Sequence, residues 1–302
     1  MIIPPPLHPG DTIGLICPAG FMPLEKMECC IETLRNWGFR VKMGSTCGSQ
    51  FHYFSGTDEE RLNDLQSMIN DREVKAILCA RGGYGVSRII DKIDFQPLQV
   101  FPKWIVGYSD ITLLHLHFFA NLKMTSLHAP MAAAFNDGGF ENEFVRSLKT
   151  ALLGTPYIYT IPSQKNNRTG KASGRLIGGN LALFAHSLGT RSEPDTRDCI
   201  LFLEDVGEYL YNIDRMLMQL KRAGKLDRLA GILFGGFTDM KDTTIPFGSE
   251  IQEILWEKVQ EYDYPVCFDF PVGHSDFNFA LKTGLNHSLE ISNEAVILQQ
   301  MA

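Results

Sequence analysis

The alternation of short apolar runs with amphipathic segments along the first half of the chain is the feature that most constrains its fold. The apolar runs lie at residues 12–17, 39–43, 74–79 and 104–108, and segments with helical spacing lie at residues 25–37, from Thr57 to Met68, and at 111–122. Strands that alternate with helices form a mostly parallel sheet that is covered by helices on both faces. The sequence therefore predicts an α/β fold for this half.

A polar segment divides the chain of 302 residues. Residues 161–173 (IPSQKNNRTGKAS) lack apolar periodicity and are rich in Asn, Ser, Lys and Gly, which is typical of a connection. We therefore expect an N-terminal α/β domain at residues 1–160, a linker at 161–173 and a C-terminal domain at 174–302. The second domain mixes helical and strand patterns and is expected to be a smaller α/β or α+β unit.

Composition narrows the classes of partner. The 28 Lys and Arg against 35 Asp and Glu give a net charge of −7, which disfavours binding to a nucleic-acid backbone. No apolar run approaches the roughly 20 residues of a membrane span, and the first residues lack the pattern of a secretory signal. The 7 Cys are scattered without a C-x-x-C spacing, so neither a disulfide framework nor a thiolate metal site is expected. We expect a cytoplasmic protein that contacts neither nucleic acid nor membrane.

Ser109 follows an apolar strand directly and precedes a predicted helix, in the segment GYSDI. A serine on a sharp strand-to-helix turn exposes its hydroxyl above the sheet edge, at a helix N-terminus that favours developing negative charge. Ile111 stands where a nucleophile elbow usually has a second Gly. The segment is compatible with a nucleophile, but a role of Ser109 or Asp110 as a helix cap alone fits the local sequence better.

His274 is the candidate base among 8 His. Most of the others lie in or beside apolar runs, and His115 and His117 are two residues apart on a helix, so they do not form a metal-binding pair. His274 instead lies in a Gly-flanked turn after a short strand, where α/β proteins commonly carry reactive groups. A serine hydroxyl needs such a base to remove its proton.

The acid that would orient this base is expected at the end of an apolar strand, in the segment LFLEDV. Glu204 continues the strand and Asp205 begins the turn, so Glu204 is the preferred candidate and Asp205 the alternative. Such a carboxylate sets the tautomer of the imidazole and stabilises its cation.

A glycine-rich segment, residues 79–88 (CARGGYGVSR), follows the third strand. It matches neither the dinucleotide fingerprint nor a P-loop. Closely spaced glycines allow the backbone to turn sharply and direct N–H groups into a cleft, so the segment suits an anion hole for acyl transfer.

Together these segments resemble the LD-carboxypeptidase (muramoyltetrapeptide carboxypeptidase) family of serine peptidases over nearly the whole chain. The motifs that carry the resemblance are residues 10–13 (GDTI), 18–20 (PAG), 54–57 (FSGT), Arg61, 81–85 (RGGYG), 107–110 (GYSD), 178–181 (GGNL), 203–205 (LED), 211–215 (YNIDR) and 273–274 (GH). Their joint occurrence in this order is more specific than any one of them.

The resemblance implies a Ser–His–Glu triad of Ser109, His274 and Glu204, with the backbone N–H groups of Gly83 and Asp110 as the oxyanion hole. Arg81 and Tyr84 are the candidate contacts to substrate; Arg81 would hold its terminal carboxylate, or would instead form a salt bridge within its helix or loop. The implied reaction releases terminal D-alanine from a murein tetrapeptide by hydrolysis of an L,D-amide bond in cell-wall recycling. The resemblance also implies a homodimer that needs neither a metal nor an organic cofactor.

Three other functions remain open from the sequence. A relative with the same triad would hydrolyse an amide in a peptide-nucleotide antibiotic and confer self-immunity. A glutamine-amidotransferase-like hydrolase would use Cys79 as its nucleophile. A non-catalytic module would bind a muropeptide without cleaving it.

Overall fold

The chain folds into two compact units. The structure, a computed structural model, describes residues 1–301. The first unit comprises Met1–Thr155 with Phe279–Lys282, and the second comprises Pro156–Asn278 with the residues from Thr283 onward. Each unit contains a β-sheet with helices, so the predicted α/β fold class with two domains is confirmed.

The secondary-structure elements are numbered in chain order. The strands are β1 (Thr12–Ile16), β2 (Arg40–Met43), β3 (Val74–Cys79), β4 (Trp104–Gly107), β5 (Ser126–His128), β6 (Ile158–Pro162), β7 (Gly170–Asn180), β8 (Cys199–Val206), β9 (Gly231–Thr238), β10 (Val266–Cys267), β11 (Leu281–Thr283), β12 (Asn286–Ile291) and β13 (Ala295–Gln300). The α-helices are α1 (Glu28–Asn36), α2 (Asp58–Asn70), α3 (Gln96–Val100), α4 (Thr112–His117), α5 (Glu143–Leu152), α6 (Leu181–Ser187), α7 (Leu210–Arg222) and α8 (Ile251–Val259).

The first sheet has six strands in the order β11-β5-β4-β3-β1-β2. All pairs from β2 to β5 are parallel. The residues of β1 and β4 are buried throughout, which explains why these strands are continuous apolar runs rather than alternating ones. The carboxyl ends of β3 and β4 are therefore adjacent, and the glycine-rich segment and Ser109 follow these two ends.

Helix α2 begins where its sequence predicts. The Thr57 side chain accepts a hydrogen bond from the Glu60 N–H, and the Glu60 carboxylate accepts one from the Thr57 N–H, which completes a capping box. The helix predicted at residues 111–122 is instead divided. A 3-10 turn at Ser109–Ile111 leads into α4, and a π-helical turn at Phe118–Leu122 follows.

The second sheet has seven strands in the order β10-β9-β8-β7-β12-β13-β6. Strands β7 to β10 pair in parallel, whereas β12 pairs antiparallel with both β7 and β13, and β13 pairs antiparallel with β6. Phe234 of β9 and Phe268 stack at a centroid distance of 5.4 Å in the interior of this unit. The parallel part brings the end of β8, which carries Glu204, beside the ends of β7 and β9.

The segment predicted as a linker differs from its prediction. Its first two residues end β6, and its residues from Gly170 onward form the first part of β7, so only 163–169 connect two strands. The two compact units divide earlier, between Thr155 and Pro156. The first six residues of β7 alternate between half-buried and exposed, and such a strand accepts polar residues that resemble a loop in sequence.

Among residues 1–301, no helix combines the length and the apolar character that crossing a bilayer requires.

Candidate active site

Ser109 lies on a strained turn between β4 and α4. Its φ angle is +64°, in the left-handed region that costs a non-glycine residue on the order of 1–3 kcal/mol. Two residues earlier, Gly107 has a φ of +153°, and a Cβ there would lie 2.9 Å from Ile111 Cγ1. The elbow therefore needs glycine at position 107 and keeps Ser109 in the conformation typical of a nucleophile elbow.

His115 supports this elbow from within α4. Its Nε2 lies 2.8 Å from the Gly107 carbonyl oxygen, and its Nδ1 lies 2.8 Å from Ser126 Oγ. Because a carbonyl oxygen only accepts, Nε2 donates and Nδ1 accepts from the hydroxyl. Burial lowers the pKa of His115 to about 4, so the ring is neutral at physiological pH. It is a packed residue that holds the strand end before Ser109.

The glycine-rich segment approaches the backbone of Ser109 closely. A Cβ on Gly82 would lie 2.8 Å from Ser109 Cβ and 3.2 Å from the Asp110 nitrogen. The Gly82 carbonyl accepts a hydrogen bond of 2.9 Å from the Gly20 N–H, and Gly83 has a φ of +101°. The structure therefore brings Gly83, Ser109 and Asp110 into one neighbourhood of the first unit.

The Asp110 side chain is fully buried and ties the elbow to this segment. Its Oδ2 accepts a hydrogen bond of 2.8 Å from the Val86 N–H. Burial raises the pKa of Asp110 to about 6, against the lowering effects of the Val86 N–H and of the Arg61 charge. Asp110 is thus more than a helix cap, because its side chain accepts from another loop.

Arg81 and Tyr84 lie on the surface of the same unit. Arg81 Nη1 donates to the Phe21 carbonyl at 2.6 Å, and the side chain is exposed. The Tyr84 ring is 48% exposed, with its centroid 5.9 Å from that of Phe54. Their roles toward substrate stay predictions.

The fully buried Glu204 and the half-buried His274 form a pair in the second unit. Glu204 Oε2 accepts hydrogen bonds from His274 Nδ1 at 2.7 Å and from the His274 backbone N–H at 3.1 Å. A Cβ on Gly273 would lie 2.4 Å from Glu204 Cγ, so only glycine allows the loop to approach this closely. The Gly273 N–H donates to Asn278 Oδ1 at 3.0 Å, and the His274 carbonyl accepts from Thr238 Oγ1 at 2.7 Å.

The pair sets the protonation chemistry of the imidazole. Burial lowers the pKa of His274, but the hydrogen bond and charge of Glu204, with a smaller effect of Asp205, raise it more, so the net pKa lies above its usual value. Because the carboxylate accepts from Nδ1, the neutral ring carries its proton there. Its Nε2 then has a lone pair for a substrate or nucleophile proton.

Asp205 has a different set of partners. Its Oδ1 accepts from Asn180 Nδ2 at 2.9 Å and from the Val206 N–H at 2.8 Å, and its Oδ2 accepts from the Ala182 N–H at 3.0 Å. Burial, followed by the charge of Glu204, raises the pKa of Asp205 to about 6. Asp205 therefore organises the start of α6, whereas Glu204 is the acid in contact with His274.

Cys79 is poorly placed to act as a nucleophile. Its side chain is fully buried at the end of β3, and burial together with the charge of Asp110 raises the pKa of the thiol. A protonated, inaccessible thiol does not attack a substrate. Over the described part of the chain, no group of three or more His, Cys, Asp and Glu side chains is arranged to hold a metal ion.

Comparison with known proteins identifies the family. The model of the LD-carboxypeptidase N-terminal domain matches residues 13–129, and that of the LD-carboxypeptidase C-terminal domain matches residues 173–289. The chain belongs to the LD-carboxypeptidase family. It is accordingly a serine-type carboxypeptidase, a hydrolase.

Three relatives illustrate the range of this LD-carboxypeptidase family. The probable murein peptide carboxypeptidase of Bacillus subtilis is 36% identical over 98% of this chain and 94% of its own. The crystal structure of muramoyltetrapeptide carboxypeptidase from Oxalobacter formigenes superposes with a TM-score of 0.87 at 26% identity, covering 96% of this chain and 99% of that one. The microcin C7 self-immunity protein of Escherichia coli is 26% identical over 98% of this chain and 95% of its own.

Sequence reasoning did not find the supporting residues of the site. Gly82, Gly273 and His115 each act through a close approach or a hydrogen bond between segments distant in the chain. The side chain of Arg61, which binds several loops, appeared in the sequence only as part of a family motif. The glycine-rich segment at residues 79–88 was the one local signal available, and within it the family resemblance pointed to Gly83 rather than to Gly82.

Proposed function

We propose that this protein hydrolyses the L,D-amide bond that releases terminal D-alanine from a murein tetrapeptide, in cell-wall recycling. Ser109 is the nucleophile, His274 the general base and Glu204 the acid that orients it. The contact of 2.7 Å between the buried Glu204 Oε2 and His274 Nδ1 is the observation that carries the proposal. A histidine held in this way has the protonation state that serine acyl transfer needs.

The proposed reaction proceeds through an acyl-enzyme. Ser109 Oγ attacks the scissile carbonyl carbon of the diamino acid while His274 Nε2 takes the hydroxyl proton. The N–H groups of Gly83 and Asp110 stabilise the oxyanion of the tetrahedral intermediate. His274 then protonates the leaving amine of D-alanine. Water, deprotonated by His274, attacks the acyl-enzyme and releases the shortened peptide and the Ser109 hydroxyl.

Arg81 and Tyr84 are the proposed contacts to the substrate. A carboxypeptidase must hold the terminal carboxylate of its substrate, and the exposed guanidinium of Arg81 has donors beyond the one bound to the Phe21 carbonyl. The Tyr84 ring, exposed beside Phe54, offers a flat apolar face to the peptide. The proposal needs no metal or organic cofactor, and it includes the cytoplasmic location and the homodimer that the family resemblance implies.

A second candidate substrate is the amide of a peptide-nucleotide antibiotic. The similarity to the microcin C7 self-immunity protein over 98% of this chain favours it. Because both reactions use the same triad, parallel assays with a murein tetrapeptide and with an aminoacyl nucleotide amide separate them. Tight binding of tetrapeptide without cleavage on long incubation would instead indicate a non-catalytic module.

The decisive experiment is mass spectrometry of a tetrapeptide after incubation with the enzyme. We expect loss of one D-alanine with the wild type and no turnover with Ser109→Ala, whose thermal unfolding should stay cooperative. Ser67→Ala is a matched control, because Ser67 Oγ donates only to the Asp64 carbonyl within α2. More than a few per cent of wild-type activity in Ser109→Ala would reject Ser109 as the nucleophile.

A further inference from the structure

The glycine-rich segment and the serine elbow are held together by two charged side chains, Arg61 and Asp110. We propose that these side chains form a clamp on the Gly85–Val86 peptide, which positions the oxyanion-hole N–H of Gly83 against Ser109. This inference rests on the proposed function of the site. Arg61 and the Asp110 carboxylate are positioning groups, because they act on the reacting atoms through the loop.

Arg61 binds three loops from a fully buried position on α2. Its Nη1 donates to the Pro18 carbonyl at 2.7 Å and to the Gly85 carbonyl at 3.0 Å, and its Nε donates to the Gly56 carbonyl at 3.3 Å. Its Nη2 donates to Asp58 Oδ1 at 2.5 Å, an ion pair that balances the buried charge. The planar guanidinium, with several donors in fixed directions, is suited to hold separate carbonyls at once.

The two side chains hold opposite ends of one peptide group. Arg61 donates to the carbonyl of Gly85, and Asp110 Oδ2 accepts from the N–H of Val86 at 2.8 Å. A Cβ on Gly85 would lie 2.5 Å from Arg61 Nη1, so the peptide lies directly against the guanidinium. The Gly85–Val86 peptide therefore has its orientation set from both sides.

This orientation determines where the Gly83 N–H points. Gly83 and Gly85 have φ angles of +101° and +151°. Glycine populates positive and negative φ with little difference in energy. A loop with two such residues needs outside contacts to keep one conformation. Because Asp110 follows Ser109 and supplies the other proposed oxyanion donor, its carboxylate links the two segments that carry the donors.

The cost of burying Asp110 supports a role beyond stability. Its side chain is fully buried, and hydrogen bonds from the backbone N–H groups of Val86 and Gly85 lower its pKa against the effect of burial. Burying a carboxylate costs folding free energy unless it is hydrogen-bonded and faces an opposite charge. The Arg61 charge offsets part of this cost, since it favours the ionised form of Asp110.

The test measures phosphonylation of Ser109 by a fluorophosphonate probe, which reports on the nucleophile and oxyanion hole whatever the natural substrate is. Loss of an oxyanion donor lowers rates by about 10²–10³-fold, so we expect Asp110→Ala to slow labelling by roughly 10- to 100-fold. Asp110→Asn retains an amide oxygen that accepts from the Val86 N–H, and it should recover most of the rate lost in Asp110→Ala. With peptide substrate, the loss should appear in kcat with KM changed less than about threefold.

Arg61→Lys and Lys103→Met complete the set. Lysine keeps the charge but not the fork of donors, so Arg61→Lys should slow labelling by about tenfold. Lys103 is also a buried cation bound to backbone carbonyls of the first unit, those of Met68 and Asp71, and its loss should leave the labelling rate unchanged.

Two results overturn the clamp alone, in a wild type that is labelled at Ser109. One is an Asp110→Ala rate within threefold of wild type. The other is an equal slowing in Lys103→Met, which would show a general effect of destabilisation. A wild type that is not labelled at Ser109 would overturn the proposed nucleophile and the clamp with it.

Discussion

Replacing Glu204 with glutamine isolates the charge of the acid that contacts His274. Glu204 Oε2 accepts both the Nδ1 proton at 2.7 Å and the backbone N–H of His274 at 3.1 Å. If the glutamine NH2 took the place of Oε2, it would face the two N–H donors of His274. The glutamine oxygen is therefore expected to take that place. The imidazole then keeps its tautomer and loses only the negative charge beside it.

The magnitude follows from this geometry. A hydrogen bond to a charged group contributes about 1.5–3 kcal/mol, which corresponds to a factor of about 10–150 in rate at 1.36 kcal/mol per tenfold. In a Ser–His–Asp triad the acid-to-amide change lowers kcat by about 10⁴-fold because the wrong tautomer forms. Since the second donor here fixes the orientation of the amide, we expect kcat/KM to fall by about 100-fold.

The same substitution should also lower stability. Glu204 Oε1 is buried and has no hydrogen-bond partner within the described residues. The glutamine NH2 would occupy its place as a buried donor, which costs about 1–3 kcal/mol of unfolding free energy. A cooperative melt at a lower Tm, measured by circular dichroism, would separate this effect from loss of folding.

The value of kcat/KM is obtained from the rate of D-alanine release from the tetrapeptide, measured by mass spectrometry at several substrate concentrations. Asp205→Asn is the matched control, because Asp205 is the neighbouring buried acid with partners around α6 instead of His274. We expect it to stay within about threefold of wild type. The reasoning is refuted if Glu204→Gln keeps wild-type activity, or if Asp205→Asn loses more activity than Glu204→Gln.

Two further predictions concern the pH profile and the elbow. The acidic limb of the kcat/KM profile should have a pKa above about 6.5, the usual pKa of histidine, because His274 must be neutral to act as a base and its net pKa is raised. Glu204→Gln removes the group that raises the pKa of His274, so the acidic limb should move to lower pH. An unmoved limb would exclude His274 as the group that titrates. Gly82→Ala should lower kcat by at least tenfold and lower the unfolding free energy by about 1–3 kcal/mol, because the added Cβ would lie 2.8 Å from Ser109 Cβ. A fully active variant would show that the glycine-rich segment can shift without affecting catalysis.

Local sequence signals predicted elements whose stability is mainly local or whose burial is complete. Strand β3 has the predicted bounds, and α2 begins at the predicted Thr57 cap. A strand buried on both faces must be apolar throughout, and a capping box needs only residues three apart. The turn from strand to helix at Ser109 was also predicted, because the transition from apolar strand to helix is contiguous in the chain.

Signals that depend on pairing partners were misleading. The polar start of β7 was predicted as a linker because its hydrogen bonds are made to β12, more than a hundred residues away. The helix predicted at 111–122 contains a 3-10 turn at its start, where the chain leaves β4 through the strained Ser109. Apolar periodicity alone does not encode that strain.

The amino-acid sequence by itself determined the alternation of strands and helices, the family, and the identities of the candidate nucleophile, base and acid, because these follow from residues that are contiguous or motifs that keep their order. Only the tertiary structure decided that Glu204 contacts His274 while Asp205 binds the start of α6. The two acids are adjacent in the chain, but successive side chains of a strand point to opposite faces. Which face meets the histidine loop depends on how β8, β9 and that loop pack.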